Sequence, residues 1–134
     1  MAYLLGFIYA DGALTDDKQS RGKYVSITSV DKEIIENAKR WLSSRHTISK
    51  LPPLTPNSKE RNVLRIGNRN LYSTLLVHGL YPNKSLTAQF PKNIPSEFLK
   101  DFIRGYFDGD GCVNLWRSPG KTQKLIIRKL SVIF

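Results

Sequence analysis

The chain is poor in cysteine, histidine and acidic residues. A single cysteine, Cys112, excludes an internal disulfide, and His46 and His78 lie too far from it to give the Cys/His spacing of a zinc site. No apolar run is long enough for a membrane. The longest, MAYLLGFIYA, has no basic flank before it and meets Asp11 at once, so neither a signal peptide nor a membrane helix is expected. These absences fit a soluble protein of a reducing, intracellular compartment. Acids are outnumbered, with 11 Asp+Glu against 21 Lys+Arg and a net charge of +10. The basic residues run from Lys18 to Lys129 instead of forming a tail, which is the footprint of a polyanion binder. A protein merely kept soluble by its charge is the plainer alternative.

What is present is enough for one folded domain: 40% apolar residues, including 10% aromatics, in 134 residues. Residues Ala2 to Ala10 read as a buried helix that stops at Gly12. No capping residue precedes it, which suggests that the natural chain extends upstream. Ala13–Asp17 and Lys23–Ser29 flank a polar turn and predict a β-hairpin. In its second strand Val25 and Ile27 alternate with Tyr24, Ser26 and Thr28, so one face meets a core and the other stays polar. Ser29 or Asp31 can cap a helix to about Ser44, with Ile34, Ile35, Ala38, Trp41 and Leu42 at helical spacing. A second hairpin is expected over Thr47–Leu54 and Asn62–Asn68, with Leu64 and Ile66 inward and Val63, Arg65 and Gly67 outward. Asn70 is expected to cap a short helix to Val77, HGLYPNKS to turn, and Ser96 to open the last helix.

The order is helix, hairpin, helix, hairpin, helix, and then the same series begins again. LLGFIYADG laid over IRGYFDGDG aligns Gly6 with Gly105, Asp11 with Asp110 and Gly12 with Gly111, at an offset of 99 residues. Small residues lie four apart in both, Gly6 with Ala10 and Gly105 with Gly109, so each helix presents a flat stripe. Two such stripes allow close backbone approach and bring the C-terminal ends together. Each helix then ends in an aspartate at the negative pole of its dipole, and the two carboxylates repel. A divalent cation answers that problem, and hard oxygen ligands with room for water and phosphate favour Mg²⁺ over zinc. Asp11 and Asp110 are therefore the expected metal ligands and catalytic residues, for phosphodiester hydrolysis. Asp-Gly alone is a common turn pair; its matched repetition carries the reading.

These two motifs resemble the signature motifs of LAGLIDADG homing endonucleases, and the element order is similar to one αββαββα repeat of that family. The resemblance implies an α+β fold in which an antiparallel saddle follows double-stranded DNA. It maps the metal-binding aspartates onto Asp11 and Asp110, and the preceding acidic position onto Tyr9, which departs from the pattern, and Asp108. It makes Tyr24, Ser26, Thr28, Lys50, Arg65, Arg69 and Arg117 candidates for groove contacts. Lys18, Lys23, Lys59 and Arg61, near the turns, become candidates for phosphate contacts. It also implies a catalytic role for Lys84, stabilising charge on phosphate or polarising water. For each of these a solvated surface side chain is the alternative reading, for Lys84 a lysine in a Pro-Asn turn. Cys112, His46 and His78 are expected to be structural.

The expected organisation is a first repeat over residues 1–90, a linker at 91–95, and the motif helix and first hairpin of an incomplete second repeat over 96–134. Only 24 residues follow Asp110, so a fragment, a decayed reading frame and a chain completed by homodimerisation all remain open. A non-cleaving DNA- or RNA-binding module of the same fold, maturase-like or regulatory, is the alternative function, and mobility with an intron or intein is the expected context.

Overall fold

Residues 1–17, 22–84, 90–91, 93–118 and 127–133 are described in the computed structural model, the segments 112–118 and 127–133 by their backbone alone. The first ten-residue helix, α1 (Ala2–Asp11), is apolar around its whole circumference, and such a helix is stable only when covered on all sides. It is covered: Leu4, Gly6, Phe7, Ile8, Tyr9 and Ala10 are all buried.

The cover on one side is a four-stranded sheet. Strands β1 (Gly12–Asp17), β2 (Gly22–Ser29), β3 (Ile48–Leu51) and β4 (Arg61–Gly67) lie in the order β1-β2-β4-β3, every neighbouring pair antiparallel. The alternation along β2 and β4 sets their faces, since side chains switch sides at every residue. Val25, Ile27, Leu64 and Ile66 point into the core and are almost completely buried. Helices α2 (Lys32–Trp41) and α3 (Arg69–Val77) close the same side through Ile35, Ala38, Tyr72 and Leu75. Each of the buried Val, Ile and Leu side chains among these contributes about 1.5–3 kcal/mol to folding.

Local chemistry corrects several expected boundaries. Asp31 caps α2, its carboxylate accepting from the Glu33 N–H at 2.9 Å. The helix ends at Trp41 and not at Ser44, because Ser43 takes a left-handed φ of 48° and the Ser44 N–H turns back to the Lys39 carbonyl. Trp41 is consequently half-exposed, edge-on to Tyr3 at 5.6 Å, and is not core. Asn68, not Asn70, caps α3, accepting from the Leu71 N–H at 3.0 Å. The reason is that β4 ends at Gly67, which leaves Asn68 as the first residue outside the ladder. Strand β3 is only four residues long, shorter than expected.

A 3₁₀ turn at Ser96–Phe98 leads into α4 (Leu99–Asp110), and strands β5 (Cys112–Ser118) and β6 (Ile127–Ile133) form an antiparallel hairpin after it. The backbone here again runs from a helix into a hairpin. Burial does not repeat. Ile103 is 44% exposed where its counterpart Leu4, 99 positions earlier, is 3% exposed and packed within the core.

Candidate functional site

The two motif helices run parallel and touch through their glycines. A Cβ on Gly6 would stand 2.8 Å from the Tyr106 nitrogen and closer still to the Phe102 carbonyl oxygen. A Cβ on Gly105 would meet the Tyr3 carbonyl and, at 3.0 Å, the Phe7 nitrogen. One turn on, Gly109 packs against the Ala10 methyl. Backbone therefore lies on backbone at Gly6 and Gly105 and on a methyl at Gly109, and the Asp11 carboxylate ends 3.5 Å from where a Gly109 side chain would begin.

Both helices end alike. Gly12 and Gly111 are extended, at φ −85° and −72°, and feed directly into β1 and β5. They are not left-handed caps, so their lack of a side chain serves close packing: a Cβ on Gly12 would collide with Ile8, and one on Gly111 with the Phe107 ring.

The electrostatics at this end are strained in the direction expected. Burial raises the Asp11 carboxyl above its ordinary value, the negative charge of Asp110 raises it further, and Lys84 pulls it down. Lys84 arrives from the turn after α3, where Asn83 takes a left-handed φ of 59°, a conformation asparagine tolerates. Its ammonium donates to the last carbonyls of α1, to Tyr9 at 2.6 Å, to Ile8 at 3.4 Å, and to Ala10. Burial lowers the Lys84 pKa, and Asp110 and Asp11 oppose that shift. A half-buried cation thus offsets part of the negative charge of the helix pole and of the two carboxylates, and the Asp11 carboxyl still stays raised. The family resemblance implied a role for Lys84 at this centre; that its donors are occupied by backbone carbonyls was not visible in the sequence.

Among the described residues no group of three or more His, Cys, Asp and Glu gathers into a metal-binding cluster. The carboxylate pair nevertheless fits a hard divalent cation: two oxygen-donor side chains whose mutual repulsion such an ion would relieve, with coordination left for water and phosphate. Two residues before the aspartates, Tyr9 departs from the acidic pattern and Asp108 keeps it. Tyr9 is buried, edge-on to Phe102 at 5.4 Å, and its hydroxyl donates to the His78 carbonyl. Asp108 accepts from the Tyr3 hydroxyl at 2.9 Å, tying the helices together. Burial and Asp108 push the Tyr3 hydroxyl up to about 12.

The sheet's second face is polar and uncovered by the helices. Register brings Thr15, Tyr24, Ser26, Thr28, Arg61 and Arg65 onto it. Arg61 is half-buried, and its Nε has no hydrogen-bond partner among the described residues. The same register moves two expected contacts off this face. Lys23 shares the parity of Val25, pairs with Asp16 at 3.2 Å and sits 4.8 Å from the Tyr72 ring centre. Lys50 lies opposite Asn62 on the core side and pairs with Glu60 at 2.6 Å. Arg69 is the exposed first residue of α3, away from the strands, and Lys59 is exposed in the turn before β4. Lys18 lies outside the described residues, as do the side chains of Arg117 and Cys112. Sequence reading missed Gly22 and Gly67 as partners of Tyr24, whose ring crosses both; alternation along β2 puts Gly22 on the ring's face, and only the strand register brings Gly67 there.

Residues 1–79 match the family model described as a LAGLIDADG-like domain. A DNA-directed RNA polymerase subunit, Rpo1C, of Methanocaldococcus jannaschii is 33% identical over 113 residues, which are 84% of this chain and 12% of that one. Among solved structures, meganuclease I-SmaMI bound to uncleaveable DNA superposes with a TM-score of 0.58 at 15% identity, covering 98% of this chain and 64% of its own. I-DmoI in complex with DNA and Ca gives 0.50 at 20% identity, covering 83% of this chain and 56% of its own. The chain thus spans less than two thirds of each of these relatives. No helix of the described residues is long and apolar enough to cross a membrane. With the family model matched over more than half of the chain, and the paired helices and antiparallel sheet shared with the nuclease structures, this chain belongs to the LAGLIDADG family.

Proposed function

We propose that the chain is a site-specific DNA endonuclease of the homing type, cleaving phosphodiester bonds with a divalent metal, Mg²⁺ by preference. The observation that carries the reading is the junction of Asp11 and Asp110 at the ends of two helices packed backbone to backbone, with Lys84 inserted beside them. A purely structural helix pair gains nothing from two repelling carboxylates at one end. The DNA-bound neighbours and the net charge of +10 support double-stranded DNA as the partner.

In this reading the Asp11 and Asp110 carboxylates hold the cation, which when bound supplies positive charge to the phosphate and acidity to a water. Lys84 holds the end of α1, and so Asp11, in place while adding a fixed positive charge near the developing negative charge of the reaction. The polar face carrying Tyr24, Ser26, Thr28, Arg61 and Arg65 lies along the DNA, with Arg69 and Lys59 beyond it as phosphate contacts, the role also proposed for Lys18. Residues 1–90 act as the first repeat, 91–95 as the linker and 96–134 as the opening of the second. The match to a short stretch of a polymerase subunit supports carriage of the domain within a host gene, as mobility with an intron or intein requires.

The test is a Mg²⁺-dependent nicking assay on a randomised plasmid library, against an Asp11→Asn, Asp110→Asn double variant. Nicking confined to the parent chain is expected. Salt-sensitive DNA binding by both, with nicking by neither, would make this a non-cleaving DNA-binding member of the family.

A further inference from the structure

On the polar face Arg65 has a ring, and not a carboxylate, as its partner among the described residues. Lys23, Lys32, Lys50 and Arg104 each face a carboxylate. Arg65 forms no ion pair among the described residues; its Cζ lies over the Tyr24 ring, 4.0 Å from the centroid. The pair is diagonal across β2 and β4, since Tyr24 is opposite Gly67 and Arg65 is opposite Ser26.

The ring is itself held by two absences. A Cβ on Gly67 would stand 3.3 Å from it, and a Cβ on Gly22 would overlap it. Glycine weakens a strand, and two of them on one sheet face, one in β2 and one in β4 and both against one ring, are a place where something lies close to the backbone. What lies there is Tyr24, laid flat, with a guanidinium over its outer face.

We propose that Arg65 reads a single guanine in the major groove and that Tyr24 is the platform that aims it. The inference rests on the DNA-directed reading above and adds to it a base and a division of labour. A guanidinium lying on a ring face keeps its N–H edges for a ligand, and that planar fork matches the O6 and N7 acceptors of guanine. Arg65 belongs to β4, an inner strand of the sheet, where a groove floor would meet it; the turn residues lie toward the rim, where phosphates run. Its neighbours on that face, Ser26 opposite and Val63 and Gly67 on its own strand, are small and leave the fork accessible. Holding the side chain in advance lowers the entropy lost on binding, so Tyr24 acts through Arg65 as a positioning residue.

The experiment is selection of bound duplexes from a randomised pool at fixed salt, followed by binding of the selected duplex with each base pair replaced in turn. Parent, Arg65→Ala, Arg65→Lys, Tyr24→Phe and Tyr24→Leu chains are compared, each first checked by thermal melting. The parent is expected to require one guanine. Replacing that guanine weakens the parent roughly 5- to 150-fold and leaves Arg65→Ala and Arg65→Lys nearly indifferent. Tyr24→Phe retains the preference, and Tyr24→Leu loses part of it without affecting other positions. If Arg65→Ala weakens every duplex equally and lowers the salt slope by about one, Arg65 is a phosphate contact and the proposal is overturned. If the folded parent binds no duplex in a salt-dependent manner, the DNA reading fails, and this inference with it.

Discussion

Gly6 and Phe102 meet backbone to backbone: the α-carbon of Gly6 lies so near the Phe102 carbonyl that no side chain fits between them. The usual gain of about 1 kcal/mol for replacing a helical glycine with alanine is therefore reversed. Gly6→Ala and Gly105→Ala should each destabilise the chain by about 1–3 kcal/mol in urea unfolding, because carbonyl and amide atoms cannot move aside as a side chain can. An unchanged or higher midpoint for either would refute the crossing.

The metal-free protein should be stabilised by Asp11→Asn at neutral pH. The folded Asp11 carboxyl is raised above the unfolded value of about 3.9, so its protonated form contributes stability that is complete below that value and lost as pH rises through the folded one. Asparagine keeps the neutral form at every pH. Denaturation in EDTA should show the variant above the parent near neutrality and level with it at low pH; equal midpoints throughout would remove the electrostatic strain from the account.

Replacing Lys84 by methionine should reduce Mg²⁺-dependent nicking by on the order of 10²-fold while sparing DNA binding. Since Lys84 lowers the Asp11 pKa against burial and Asp110, its loss should also shift the acid limb of the pH profile to higher pH. A profile that falls in height without moving would mean that Lys84 acts on phosphate alone.

Lys23→Gln and Lys50→Gln should each change DNA affinity by less than about twofold and leave the salt slope intact. Both lie on the helix-side parity and face Asp16 and Glu60. A slope lowered by about one in either variant would place DNA on the other side of the sheet.

At the start of α3, Asn68→Ala should cost about 1 kcal/mol of stability and Asn70→Ala less than about 0.5. Only Asn68 accepts from a free N–H of the first turn. Comparable losses would return the cap to Asn70.

Sequence by itself determined what repeats locally. The 99-residue offset of two Gly- and Asp-bearing helices, the alternation of Val25 and Ile27 with Tyr24, Ser26 and Thr28, and the small-residue stripes were all legible, because helix and strand periods are properties of neighbouring residues. Tertiary structure decided what meets what. The parity that puts Lys50 beside Asn62 and Lys23 under Tyr72 depends on strand register, which no single strand contains. The seating of Lys84 on the end of α1 depends on a turn more than seventy residues away. The docking of Arg65 over Tyr24 depends on two strands that are not adjacent in sequence. Charge type could be read from composition; whether a charge faces a carboxylate, a ring or a groove is fixed only when distant segments pack.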